Sequence, residues 1–132
     1  MPGKILKVAR YHRTDLRNWY NSLFVFGDNM AERGLGGQAR ECRGEPNAIG
    51  IPTKWQPSMT PDSFFDDDDL ETVKPTIDGA FLELAGHLRK DGTVVWPEDG
   101  VGTGLAKLEK KAPAIFKYIQ DSLEQLEKIC DE

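Results

Sequence analysis

The feature that most constrains this chain is an alternation of short β-forming runs with longer helical ones. "SLFVFG", "NAIGIPT" and "GTVVWP" are each brief and rich in branched or aromatic residues. Each is bounded by glycine, serine, asparagine or proline, as buried strands are. "KILKVARY" reads as a further strand near the start. Between the runs the period changes. Ile77, Phe81, Leu84, Ala85 and Leu88 recur at helical spacing, and the pattern predicts a helix from about Pro75. Ile115, Ile119, Leu123, Leu126 and Cys130 make one apolar stripe on a last helix. "TDLRNWYN", capped by Thr14, and "GGQARECRG" read as short helices. Strands alternating with helices define an α/β domain, and consecutive buried strands predict that residues near 23–26, 48–52 and 93–96 share one sheet. "KWQPSMTPDSFFDDDDLETVK" is the longest expected loop.

Nothing divides the 132 residues, so a single domain spanning 1–132 is expected, large enough for a core without cross-links. No apolar run has the length of a membrane span, and "MPGKILKVARYHR" is too polar for a signal peptide. Cys42 and Cys130 match no metal or redox spacing and suit a reducing cytoplasm. A net charge of −5 opposes nonspecific binding to duplex nucleic acid. It leaves open a single nucleotide held in a pocket.

Two glycine-rich segments follow strands. "GDNMAERGLGGQAR" brings Gly34, Gly36 and Gly37 up to a helix, and "PEDGVGTGLAKL" does the same with Gly100, Gly102 and Gly104. Glycines let backbone approach a ligand closely, and a helix start offers N–H groups to an anion. Neither segment matches the P-loop or the dinucleotide fingerprint. A third feature is the strand end "IPTK". Ligands of α/β folds meet the carboxyl ends of strands, which makes Lys54 either a solvated loop lysine or a residue that meets substrate. Trp55 beside it is placed either to stack on a ring or to pack the loop down. "FFDDDDLE" reads as a solvated acidic loop, because consecutive carboxylates cannot all face one ion. His12 and His87 lack partners at metal spacing, with His87 expected at the surface and Trp96 in the core.

"FVFGDN", "RGLGGQA", "GIPTKW" and "WPEDGVGTGLAKL" stand in the order found in macro domains. Over residues 22–125 the chain resembles the branch holding DarG-type antitoxins and terminal ADP-ribose glycohydrolases, and also small macro-like phage proteins. The resemblance implies a three-layer sandwich with a mixed sheet between helices, an ADP-ribose ligand, and no cofactor or metal. Residue by residue it implies Asn29, with Asp28, at the distal ribose, and Gly34, Gly36, Gly37 and Gln38 in a first substrate loop. It implies Gly100, Val101, Gly102, Thr103 and Gly104 around the diphosphate and Asp15 against adenine; Thr53 and Trp55, on either side of Lys54, are further ligand-binding candidates. Lys54 matches a lysine that attacks the anomeric carbon, which makes Lys54 and Asn29 the catalytic candidates. Two departures stand out. Ala106 occupies the place of an aspartate in one subgroup, with Glu98 and Asp99 as the nearest carboxylates. The chain also ends at "EKICDE" without a last strand.

Three classes of function follow. One is an ADP-ribosyl hydrolase using Lys54 on nucleic acid or protein. The second is a sponge for ADP-ribose-derived immune signals, as in phage counter-defence. The third is an interaction module with a decayed pocket. The partner is then an ADP-ribose-type small molecule or an ADP-ribosylated macromolecule, with no membrane, in a cytoplasm that would be the host's for a phage protein. Intact "IPTK" makes the first class the leading expectation, Ala106 points to the second as the alternative, and the two intact glycine loops point away from the third.

Overall fold

The computed structural model describes residues 3–132. Four strands form one sheet: β1 (Lys4–Val8), β2 (Ser22–Asn29), β3 (Ala48–Lys54) and β4 (Thr93–Pro97), in the order β1-β4-β2-β3. The expected strands near 23–26, 48–52 and 93–96 are therefore neighbours in one sheet. Every pairing is parallel, so among the described residues the sheet is not mixed. The reason is in the connections. Parallel strands need a crossover, usually helical, and each link here supplies one: α1 (Arg13–Asn18), α2 (Ala39–Cys42) and α3 (Leu70–Arg89). The chain closes with α4 (Leu108–Lys111) and α5 (Pro113–Cys130).

Strand alternation sends side chains to two cores. Phe24, Phe26 and Val95 pack with Tyr11, Leu16, Ala39 and Cys42 under α1 and α2. Val25, Ile49, Ile51, Val94 and Trp96 pack with α3, α4 and α5 on the opposite face. Helices thus cover both faces. Proline in β3 is tolerated because β3 is an edge strand, where a missing N–H breaks no ladder on the outer side.

The structure corrects four local expectations. Helix α3 starts at Leu70, not near Pro75, which lies within it. Asp66 accepts the Asp68 N–H at 2.9 Å and Asp69 accepts the Asp66 N–H at 2.9 Å. These carboxylates order a 3-10 turn at Asp67–Asp69 and favour the positive helix end, while Pro75, in the second turn, removes the bond to the residue 71 carbonyl and crowds it without ending the helix. The acidic run is therefore a helix start rather than a free loop. At α1, Thr14 lies inside the helix and His12 is the cap residue. Its N–H is taken by Asp15 at 2.8 Å. His87 is half-buried, with its ring against Gly92 and its Nε2 sealed from solvent.

Among the described residues, no helix is long and apolar enough to cross a membrane. Leu84 is wholly buried on the inner face of α3 and Leu82 is 74% exposed on the same helix. Leu84→Ala should lower stability by about 2–5 kcal/mol through lost burial and a cavity, and Leu82→Ala by no more than about 0.5 kcal/mol. Urea midpoints measure both. Equal losses would show that the phase of α3 is wrong.

Candidate functional site

The sheet opens at its centre. β2 pairs with β4 only through Ser22, Leu23 and Phe24, whose partners are Thr93, Val94 and Val95. Beyond that point β2 runs with β3 as far as Asn29, while Trp96 and Pro97 of β4 stay with β1. The chain after β2 passes to α2 on one face, and the chain after β4 passes to α4 and α5 on the other. This is a topological switch point, the place where open α/β sheets hold ligands.

A cleft of about 220 Å³ lies there. Its walls come from the end of β2 (Gly27, Asp28, Asn29), the end of β3 (Thr53, Lys54) and both glycine-rich loops. Of the residues singled out in the sequence, Asp28, Asn29, Gly34, Gly36, Gly37, Gln38, Thr53, Lys54, Gly100, Gly102 and Gly104 line it. Val101 is buried beneath its loop, and Thr103 turns its hydroxyl onto the Asp99 carbonyl at 2.9 Å. Trp55 packs edge-on against Phe65 and donates its indole N–H to Asp69 at 3.3 Å. Asp15 accepts the His12 N–H at the start of α1, and neither it nor Trp55 lines the cleft.

Gly102 is held at φ 85°, and a Cβ there would lie 2.7 Å from Leu108. Only glycine fits, and its amide nitrogen sits 3.8 Å from where a Gly27 Cβ would be. The loop backbone thus reaches the floor of the opened sheet. Across the cleft a Gly36 Cβ would lie 3.7 Å from Leu105 Cδ1, so the two loops nearly meet above it. Among the described residues, the N–H groups of 34–39 and of 101–106 donate to no protein acceptor. Two runs of free amides therefore flank one opening, a common construction for anion binding.

The walls carry three cations, Arg33, Arg43 and Lys54, against one carboxylate, Asp28. Arg43 grips Asp28 through two nitrogens, at 2.5 and 3.3 Å, and donates to the carbonyls of Gly34 at 2.8 Å and Arg33 at 3.2 Å. One guanidinium thus ties the end of β2 to the first loop. Gly50 makes room for this pair, since a Cβ there would lie 2.7 Å from the Asp28 carboxylate. Asn29 faces the same loop. Its Nδ2 donates to the Arg33 carbonyl at 2.7 Å and its Oδ1 accepts the Arg33 N–H at 3.4 Å. Gln38 is committed as well, exchanging hydrogen bonds with the Tyr11 backbone.

Lys54 is 7% exposed and has no carboxylate partner within salt-bridge distance among the described residues. Its Nζ donates to the Ser58 carbonyl at 2.6 Å, approaches Met59 Sδ at 3.5 Å and lies over the Phe64 ring. Burial holds its amine below the ordinary lysine value.

Sequence reasoning missed Arg43, Arg33, Gly27, Pro57, Pro97 and Leu105. Arg33 carried a signal, a basic residue directly before a glycine run. Arg43 carried none, because its partner Asp28 lies fifteen residues away on another element.

The chain belongs to the family of unknown function DUF7831, whose sequence profile matches residues 6–122. No curated protein and no solved structure matches it.

The direction at Lys54 fixes a pH dependence. The unfolded chain restores a lysine value of about 10.4, so unfolding takes up a proton wherever the folded amine is neutral. Stability then rises with pH between the lowered value and about 10.4, and this contribution is flat outside that window. Lys54→Met should remove the rise, read from denaturation midpoints across the alkaline range. An equally steep climb in the variant would place its source elsewhere.

Proposed function

We propose that the cleft binds an ADP-ribose-type nucleotide, with its diphosphate across the two glycine-rich loops. The observation that carries this reading is that both glycine-rich loops, whose amides at 34–39 and 101–106 have no protein acceptor among the described residues, line one cleft at the switch point, in walls where cations outnumber carboxylates three to one. A diphosphate is anionic, rich in acceptors and long enough to touch both loops. The macro-domain resemblance of the motifs supports the choice of nucleotide, and the helices on both faces of the sheet agree with that fold class.

Binding is the better supported half of this reading. Lys54 donates to a carbonyl, approaches a thioether and lies over an aromatic face, and all three contacts suit an ammonium. In that state it is an anchor for an anion, not a nucleophile. Ala106, which lines the cleft, supplies no carboxylate to resolve a lysine adduct. A protein that holds ADP-ribose-derived signals without cleaving them fits these features.

Hydrolysis is the second reading, favoured by the burial that depresses the Lys54 amine. The neutral amine would attack the anomeric carbon and expel the protein or base, which takes up the proton the amine sheds, leaving an N-glycosyl lysine. Opening of the ribose ring would turn this into an imine, and water would hydrolyse it to free ADP-ribose and the lysine amine.

Gly104 lines the cleft in open space, and a Cβ there meets nothing within 4 Å. Gly104→Glu should keep the fold and weaken ADP-ribose binding by about a hundredfold or more, because it sets a negative charge against the diphosphate. Calorimetry with ADP-ribose and AMP reads the effect, and unchanged affinity would sink the assignment.

Borohydride separates the two readings. Wild-type protein incubated with an ADP-ribosylated peptide or oligonucleotide and then reduced should carry no adduct at Lys54 if the protein is a binder. A reduced lysine–sugar adduct in the mass spectrum, lost in Lys54→Ala while most binding remains, would establish the hydrolase.

A further inference from the structure

Two ammonium groups lie over one aromatic ring beside the cleft. Lys54 Nζ is 4.6 Å and Lys111 Nζ 4.5 Å from the centre of the Phe64 ring. The two charges are therefore no more than about 9 Å apart, close to the screening length of about 8 Å at physiological salt. They arrive from different elements, Lys54 from the end of β3 and Lys111 from the end of α4, directly after the second glycine-rich loop. Neither has a carboxylate within salt-bridge distance among the described residues. The ring's negative face attracts both, yet the two cations repel one another.

Lys54 sharpens the point. It is more than nine-tenths buried, it lines the cleft, and two of its three N–H groups are directed at Ser58 and Met59. The third has no protein partner among the described residues. A buried cation without a counter-charge is costly, and nothing in the sheet or the helix packing requires one here. An anion reached by both ammonium groups at the edge of the ring would supply the counter-charge that buried Lys54 lacks and offset the repulsion between the two.

We propose that Lys54 and Lys111, gathered on the Phe64 ring, form a second anion subsite at the edge of the cleft, and that the ligand places a phosphate there in addition to its diphosphate. This inference rests on the nucleotide reading and extends it. The preferred ligand is a phosphorylated or polynucleotide-linked form of the nucleotide rather than free ADP-ribose. A terminal phosphate and a backbone phosphodiester offer the same oxygens, and the test separates them.

Inorganic phosphate is titrated into the full chain at constant ionic strength made up with chloride, and the ε-carbon signals of all lysines are followed by NMR. Lys54 and Lys111 should shift together on one saturable curve while Lys90 and Lys128 stay still. Lys111→Ala should weaken that curve about tenfold, as loss of one charge-assisted contact implies, and Lys111→Arg should restore most of it. Lys90→Ala should leave it in place. Methyl phosphate and dimethyl phosphate are compared next. Equal binding assigns the subsite to a phosphodiester, and preference for the dianion assigns it to a terminal phosphate. Lysine shifts that are uniform, non-saturating, or unchanged by Lys111→Ala would overturn the subsite. Saturation at Lys54 and Lys111 in a protein that fails to bind ADP-ribose would overturn the nucleotide reading alone and leave the subsite standing.

Discussion

Everything at the site depends on the short seam between β2 and β4. Only three residue pairs join them before the strands part. Phe24 is the pivot: it pairs with Val95 of β4 on one side and with Ala48 of β3 on the other. Past it, β2 has a neighbour on one side only, and its backbone at Gly27 and Asp28 faces an opening. The loops leaving β2 and β4 then depart to opposite faces and come together only around the gap, with Gly102 reaching its floor at Gly27 and Leu105 meeting Gly36 above it. A longer ladder would have closed the sheet and left the glycine-rich segments as ordinary surface turns.

An opening of this kind needs walls that do not collapse, and the polar contacts supply them. Arg43 ties Asp28 to the Gly34 and Arg33 carbonyls, and Asn29 holds the Arg33 backbone from the other side. On the far wall the β3 end is coupled to the same segment, since Met30 donates to the Lys54 carbonyl at 2.8 Å and Ala31 to the Trp55 carbonyl at 3.1 Å. Arg33 reaches Gln56 at 2.5 Å, and Gly34 lies against Pro57. Strand ends and first loop thus behave as one braced frame. Several side chains that look functional in the sequence, Asn29 and Gln38 among them, spend their hydrogen bonds on this frame. The backbone amides are what remain free for a ligand, with the charges of Arg33 and Lys54 beside them.

That division explains what was legible beforehand. Helix phase was readable, because Ile77, Phe81, Leu84, Ala85 and Leu88 obey a local period and all are buried. In the last helix Ile115, Ile119, Leu123 and Leu126 do the same, while Cys130 is only half-buried and Ile129 takes the inner place. The start of α3 was misjudged because proline is a strong local signal, whereas capping by Asp66 and Asp69 depends on side-chain geometry. The glycines of both loops were visible as glycines. That Gly102 can carry no side chain, while Gly104 can, follows from Leu108 and is invisible in the string.

The sequence by itself determined the α/β class, the strands and helices, and which segments are rich enough in glycine to approach a ligand. These follow from interactions between residues a few positions apart, and a linear pattern records them. The tertiary structure decided the rest: an all-parallel sheet in the order β1-β4-β2-β3, its opening, the Asp28–Arg43 tie, and the meeting of Lys54 with Lys111 on Phe64. These contacts join residues that lie ten to more than fifty positions apart. Their energies depend on distance and burial, and both are set only when β4 inserts between β1 and β2.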